Sequence, residues 1–156
     1  MGYLRNHVSA GDSTIDSRQA QLTLEDLEGD RTDIVNRIAK IEAETDDEGA
    51  EDRAERLEDA REELADWDES NGDEYKALKD FCEEGSQYNS DWRRGVPCIL
   101  ESEFADHIKE SASELVDVDL NRWPFNCINW DDAAEEMKGD YTEIDFDGYA
   151  YYVRTT

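Results

Sequence analysis

The chain has 156 residues, of which 43 are Asp or Glu and 16 are Lys or Arg, giving a formal net charge of −27. Such a field repels nucleic acid and anionic lipid and attracts basic surfaces, so direct nucleic-acid binding is excluded as the working mode. Hydrophobic residues make up 37 % of the chain, and no apolar run approaches the ~18–20 residues needed to cross a bilayer.

Residues 1–22 are polar and without clear period, and read as a loosely ordered lead-in. Gly2 follows Met1, but Asn6 stands where myristoylation needs Ser or Thr. From Leu24 a pattern begins. Leu24, Leu27, Ile34, Ile38 and Ile41 fall at a/d-like spacing, with Arg31 in the one polar slot. Thr23 is a suitable N-cap and Glu25, Asp26 and Glu28 suit the positive helix end, so a helix is predicted over 24–45. Thr45-Asp46-Asp47-Glu48-Gly49 reads as a turn. A second helix is predicted over 51–67, with Ala54, Leu57, Leu64 and Trp67 as its stripe and Arg61 in the remaining slot. The short turn makes the two helices an antiparallel hairpin. Asn71-Gly72 reads as a break before a shorter helix over 73–84, which Gly85 would close as a C′ glycine.

A loop is expected over 86–95, then an edge strand over 96–100, because Pro97 cannot donate to a ladder. Ser102 would cap a helix over 103–115 whose buried face is Phe104, Ala105, Ile108, Ala112 and Leu115. Residues 116–128 read as a linker. Asn129 can cap a helix over 130–138, with Trp130, Ala133, Ala134 and Met137 as its stripe. Asp147-Gly148 lies between two runs of β-formers and predicts a two-residue hairpin. The turn pairs Phe146 with Tyr149, Ile144 with Tyr151 and Thr142 with Val153. These residues share one face, and Glu143, Asp145, Ala150, Tyr152 and Arg154 share the other. The expected fold is α+β: an N-terminal antiparallel helical hairpin or short coiled coil, then a small helix-plus-β-hairpin domain. The expected boundaries are a lead-in over 1–22, an acidic helical hairpin with a short third helix over 23–85, and a small α+β domain over 86–156.

The acidity is not confined to a tail. Residues 24–84 carry a net −17 and residues 101–156 a net −11. Between Glu42 and Glu69 there are 15 acidic and 3 basic residues. In helical form this stretch spans about 42 Å, or roughly one carboxylate per 3 Å, against about one phosphate charge per 1.7 Å of duplex axis. A rigid helical hairpin can hold such an array in place. The candidate partner-binding carboxylates are Glu51, Asp52, Glu55, Glu58, Asp59, Glu62 and Glu63 on the hairpin, with Asp131, Asp132, Glu135, Glu136, Asp140, Glu143 and Asp145 in the C-terminal part. Two other readings compete: an ordinary solvated face of a structural coiled-coil adaptor, and halophilic adaptation, which the scarcity of Lys (five, against eleven Arg) fits.

Residue patterns for chemistry are poor. His7 and His107 have no Cys or Ser in a nucleophile setting. Cys82, Cys98 and Cys127 form no Cys-x-x-Cys pair, and His and Cys lack zinc-site spacing. The odd cysteine count and the lack of a signal-peptide pattern point to a reducing cytoplasm. Asp66 to Gly72 is like the start of a calcium loop, but the glycine is one position late and Ala77 stands where the closing Glu belongs. There is no phosphate-binding loop and no Gly-x-Ser-x-Gly. Neither a cofactor, a metal nor an enzymatic activity is expected.

One segment carries a resemblance. Residues 127–142, Cys127-Ile128-Asn129-Trp130-Asp131-Asp132-Ala133-Ala134 through Asp140-Tyr141-Thr142, are followed by Asp147-Gly148-Tyr149 and Tyr152-Val153-Arg154. This resembles the C-terminal part of the ArdA-type antirestriction proteins, and more closely phage proteins labelled antirestriction. The shared pattern is an Ile-[Asp/Asn]-[Trp/Tyr]-x-x-x-Ala helix start, an Asp-Tyr pair, and a hairpin closing on an aromatic and Arg. Here these are Ile128, Asn129, Trp130, Ala134, Asp140, Tyr141, Tyr152 and Arg154. The resemblance covers about a fifth of the chain. Over residues 1–100 the chain departs from that family, with a helical hairpin in place of a β-rich domain. The resemblance implies an acidic DNA mimic, usually dimeric, that occupies the DNA groove of a type I restriction–modification enzyme in the host cytoplasm. The departure leaves a CRISPR effector or another defence nuclease equally open as target.

Overall fold

A computed structural model describes residues 8–45 and 49–156. The expected turn centred on residues 46–48, and His7 with the rest of 1–7, lie outside the described residues. Along the chain run β1 (Thr14–Asp16), α1 (Ser17–Glu42), α2 (Ala50–Tyr88), β2 (Pro97–Leu100), α3 (Phe104–Val116), α4 (Trp130–Met137), β3 (Tyr141–Phe146) and β4 (Tyr149–Arg154). The strands make one antiparallel sheet in the order β1-β2-β4-β3. The protein is α+β, with the long helices first and a helix and strand hairpin last. The helices α1 and α2 pack on one face of the sheet, and α3 and α4 on the other.

The hairpin α1/α2 is a heptad seam. On α1 the inward positions are Ser17, Ala20, Leu24, Leu27, Arg31, Ile34, Ile38 and Ile41, buried or half-buried throughout. The helix begins a full two turns earlier than Thr23. Asp16 is its cap, with the carboxylate accepting from the Arg18 amide at 2.8 Å. Thr23 lies inside the helix instead, and its hydroxyl donates back to the Gln19 carbonyl. Residues 8–22 are therefore not a loose lead-in: they supply β1 and the first turns of α1.

Helix α2 runs unbroken through Asn71-Gly72. Its seam is Arg53, Leu57, Ala60, Leu64, Trp67, Asn71, Glu74, Leu78, Phe81 and Gly85, none of them exposed. The expected slots at Ala54 and Arg61 are exposed, and Ala60 is the buried residue. A mid-helix glycine costs ~1 kcal/mol. Packing by Trp67, Tyr75, Leu78 and Phe81 on both sides of it outweighs that cost. Gly85 is not a C′ residue. It sits within α2 against the Trp92 ring, where a Cβ would stand 2.2 Å from a ring carbon.

The core under α1/α2 gathers Leu24, Leu27, Leu78, Phe81 and Trp92 with the sheet residues Ile15, Cys98, Ile144, Phe146, Tyr151 and Val153. Residues on both sides of the expected 85/86 boundary thus share one core. Phe81 stacks on Phe146 with ring centroids 4.8 Å apart and meets Trp92 and Tyr151 edge-on. Ser17 ties the helix to the chain beyond Trp92, donating to the Trp92 carbonyl at 2.6 Å and accepting from the Val96 amide at 2.7 Å. Asn89, buried at the end of α2, donates to the Arg154 carbonyl at 2.8 Å.

The β3–β4 hairpin has the expected register, Phe146 opposite Tyr149, Ile144 opposite Tyr151 and Thr142 opposite Val153. Asp147 and Gly148 both take positive φ (50° and 86°), as a type I′ turn requires. The second face is also covered: Tyr152 and Ile99 pack with Phe104, Ile108 and Ala134. β2 is an inner strand, not an edge. Pro97 is tolerated because it is the first residue of that strand. Ser102 makes no side-chain cap for α3, which follows a 3-10 turn, and Leu115 points to solvent. Asn129 caps α4, accepting from the amides of Asp131 and Asp132.

Candidate functional site

The fourteen candidate carboxylates are all exposed. They fall into separate groups. Glu51, Asp52, Glu55, Glu58, Asp59, Glu62 and Glu63 lie on the first turns of α2. Asp131, Asp132, Glu135 and Glu136 lie on α4, with Asp140 in the turn after it and Glu143 and Asp145 on the edge strand β3. Three carry ion pairs: Asp52 with Arg56, Glu63 with Arg37, and Glu135 with Lys138.

Five arginines of the hairpin, Arg31, Arg37, Arg53, Arg56 and Arg61, are directed to the seam. Arg31 bridges to Asp68 at 3.0 Å, Arg37 to Glu63, and Arg61 to Glu42 at 2.9 Å, each spanning α1 and α2. Arg56 forks onto both Glu44 oxygens at 3.2 and 2.7 Å and also takes Asp52. That fork holds the Glu44 carboxyl below its usual range and raises the guanidinium. Such exposed pairs are each worth little. Their consequence here is directional: the positive ends are turned toward the helix–helix boundary.

The opposite face of α2 is left almost wholly negative. At alternating four- and three-residue steps it presents Glu55, Asp59, Glu62, Asp66, Glu69, Asp73, Lys76, Asp80 and Glu83, all exposed. None of these eight carboxylates takes part in an ion pair among the described residues. From Glu55 to Glu83 the row covers about 42 Å at ~1.5 Å per residue. That is about one carboxylate per 5 Å, beside one phosphate per about 3.4 Å along each strand of a duplex. The row continues past the helix. An open groove of ≈ 460 Å³ is lined by Asp73, Lys76 and Asp80 of α2 and by Asp145, Asp147 and Gly148 of the β3–β4 turn. A neighbouring groove joins Glu84 to Glu143 and Asp145.

Glu55, Asp59 and Glu62 of the candidate set therefore stand in one row, and Asp145 adjoins its end. Glu51 and Glu58 flank it. Asp131, Asp132, Glu135 and Glu136 belong to the layer on the other side of the sheet. Sequence reasoning missed Asp66, Glu69, Asp73, Asp80, Glu83 and Asp147. A helix break at Asn71-Gly72 divides the row in two, whereas the unbroken heptad spacing from Glu55 to Glu83 would have revealed it.

Among the described residues no group of three or more His, Cys, Asp and Glu side chains is arranged to hold a metal ion. No helix among them is long and apolar enough to cross a membrane. Fold and surface define a class: an α/β/α three-layer protein whose longest helix carries a carboxylate row on its outer face. No protein-family model, curated protein or solved structure matches the chain.

Proposed function

We propose that the protein is an acidic DNA mimic. It blocks the DNA-binding surface of a host defence nuclease, of the restriction–modification or CRISPR type, without catalysing a reaction. The observation that carries this reading is the unpaired carboxylate row of α2. It is long, carries one cation, and lies on a helix backed by α1, so its charges are held at fixed spacing. A basic DNA channel would be drawn to it quickly, because charge complementarity raises association rates. The resemblance of residues 127–154 to antirestriction proteins supports the same reading.

The test is displacement of a labelled duplex from a purified type I restriction–modification enzyme and, separately, from a CRISPR effector nuclease. The wild-type chain displaces DNA from at least one of them. The triple reversal Glu62→Lys, Asp66→Lys, Glu69→Lys weakens displacement by at least about tenfold, since three charge contacts are inverted. The matched triple reversal Asp26→Lys, Asp30→Lys, Asp33→Lys at exposed positions of α1 has little effect. Equal potency of all three proteins would rule out the α2 row as the contact surface.

A second reading, a non-catalytic adaptor whose acidity is an adaptation to salt, is favoured by one observation: carboxylates also cover α1, α3 and α4. It predicts that the melting temperature climbs steeply from dilute buffer to molar KCl and that no DNA-binding enzyme is inhibited.

A further inference from the structure

The end of α3 and the segment joining it to α4 leave six apolar side chains open to solvent among the described residues. Leu115 is 85 % and Trp123 80 % exposed, and Val116, Val118, Phe125 and Ile128 are also open to solvent. This is not a slack linker. Leu120 is buried beneath it, Lys109 Nζ donates to Asn121 Oδ1 at 2.9 Å, and the Asn126 amide donates to the Arg122 carbonyl at 2.9 Å. The Cys127 amide donates to the Pro124 carbonyl at 3.1 Å. The loop is thus folded on itself while its largest side chains face outward. A protein of net charge −27 has ample polar residues to place there. Large apolar side chains held outward by an ordered loop point to a contact surface, and Trp is among the residues enriched at binding hot spots.

The surroundings choose the occupant. Within residues 115–128 the charged side chains are Asp117, Asp119 and Arg122, and Arg122 pairs with Asp119 at 3.5 Å. Glu110 and Glu114 precede the segment and Asp131 and Asp132 follow it. A second copy would bring one carboxylate rim against another. Anionic lipid and nucleic acid meet the same repulsion. We infer that the 115–128 loop is a second docking element, which inserts Trp123 and Leu115 into an apolar recess ringed by Lys and Arg on a protein partner. The inference rests on the reading that the partner is a basic protein, and adds an apolar anchor to its carboxylate contacts.

The test uses two synthetic helical peptides of equal length and Lys content, one with a leucine stripe and one with serine in its place. The wild-type chain binds the Lys/Leu peptide roughly tenfold tighter than the Lys/Ser peptide, as one good anchor would give. The double variant Trp123→Ser, Leu115→Ser binds both equally, at the wild-type affinity for Lys/Ser, with an unchanged circular dichroism spectrum. Equal binding of both peptides by the wild type, or a preference that survives in the double variant, would overturn the inference and leave the charge reading intact. Failure to bind either peptide would overturn both. Sedimentation as a dimer that the double variant abolishes would make a second copy the occupant and overturn it. Binding of the wild type to neutral phosphatidylcholine vesicles would do the same for a lipid surface.

Discussion

Tyr151 helps the sheet hold the segment before β1. Its hydroxyl donates to the Asp12 carbonyl at 2.7 Å and accepts from the Gly11 amide at 3.0 Å. Burial is the largest influence on the phenol and pushes it up to about 12, although the Gly11 amide acts the other way. In the unfolded chain a Tyr titrates near pH ~10. Between those values the folded protein keeps a proton that the unfolded chain has lost. This stabilisation is therefore full below pH ~10 and declines as pH rises toward 12. Tyr151→Phe is expected to cost about 1–2 kcal/mol at neutral pH, and the gap to wild type should narrow in urea unfolding at pH 11. A constant gap would contradict the linkage. The cysteines divide as sharply. Burial pushes Cys82 up to about 12 and raises Cys98, whereas Cys127 is exposed. Iodoacetamide at mildly alkaline pH should label Cys127 alone in the native protein, and mass spectrometry of the intact chain reads one adduct. Three adducts without unfolding would contradict the packing.

Two glycines test the long helix against a broken one. Gly72 lies inside α2 with nothing within 4 Å of the place a Cβ would take. Gly72→Ala is expected to stabilise the protein by up to about 1 kcal/mol if the helix is continuous. A true break there would lose stability instead. Gly85→Ala should destabilise by about 1–3 kcal/mol, because Trp92 must shift, and thermal denaturation of the two variants should move in opposite directions. These positions also show what was legible beforehand. The α1 seam from Leu24 to Ile41, the Asn129 cap and the Asp147-Gly148 register were readable because each depends on neighbours a few residues apart. The start of α1 was not, since Asp16 becomes a cap only once β1 pairs with β2. Nor was the course of α2: Asn71-Gly72 is a local turn signal, and it is overruled by Trp67, Tyr75 and Phe81, which pack against partners from distant segments. Pro97 misled for a similar reason, because its place at the start of β2 is decided by a pairing with Asp16 across the chain. Part of the candidate site, Glu55, Asp59 and Glu62, was visible. Asp73, Asp80 and Glu83 were hidden by the same false break.

For the whole molecule, the arrangement of charge matters more than its sum. Five arginines of the hairpin, Arg31, Arg37, Arg53, Arg56 and Arg61, are spent on Asp68, Glu63, Asp52, Glu42 and Glu44, the last reached at both its carboxylate and its carbonyl. The outer row of α2 keeps one cation, Lys76, and eight carboxylates without ion pairs among the described residues. A partner that matches this row must carry many positive side chains, and its binding must weaken with salt as counterions compete for both surfaces. The apolar loop at 115–128 adds a contact that salt does not screen, so the Trp123→Ser, Leu115→Ser variant should show lower affinity with the same salt slope. The most direct measurement of charge mimicry is the affinity of the wild-type chain for a DNA-binding defence enzyme, read by displacement of a labelled duplex at 50 and 200 mM salt. Mimicry by this row predicts a fall of at least about a hundredfold between the two, less than the roughly 10^3- to 10^5-fold seen for six to ten phosphate contacts because the carboxylates are more sparsely spaced. An affinity that stays constant between the two salts, or binding that leaves the duplex in place, would contradict it.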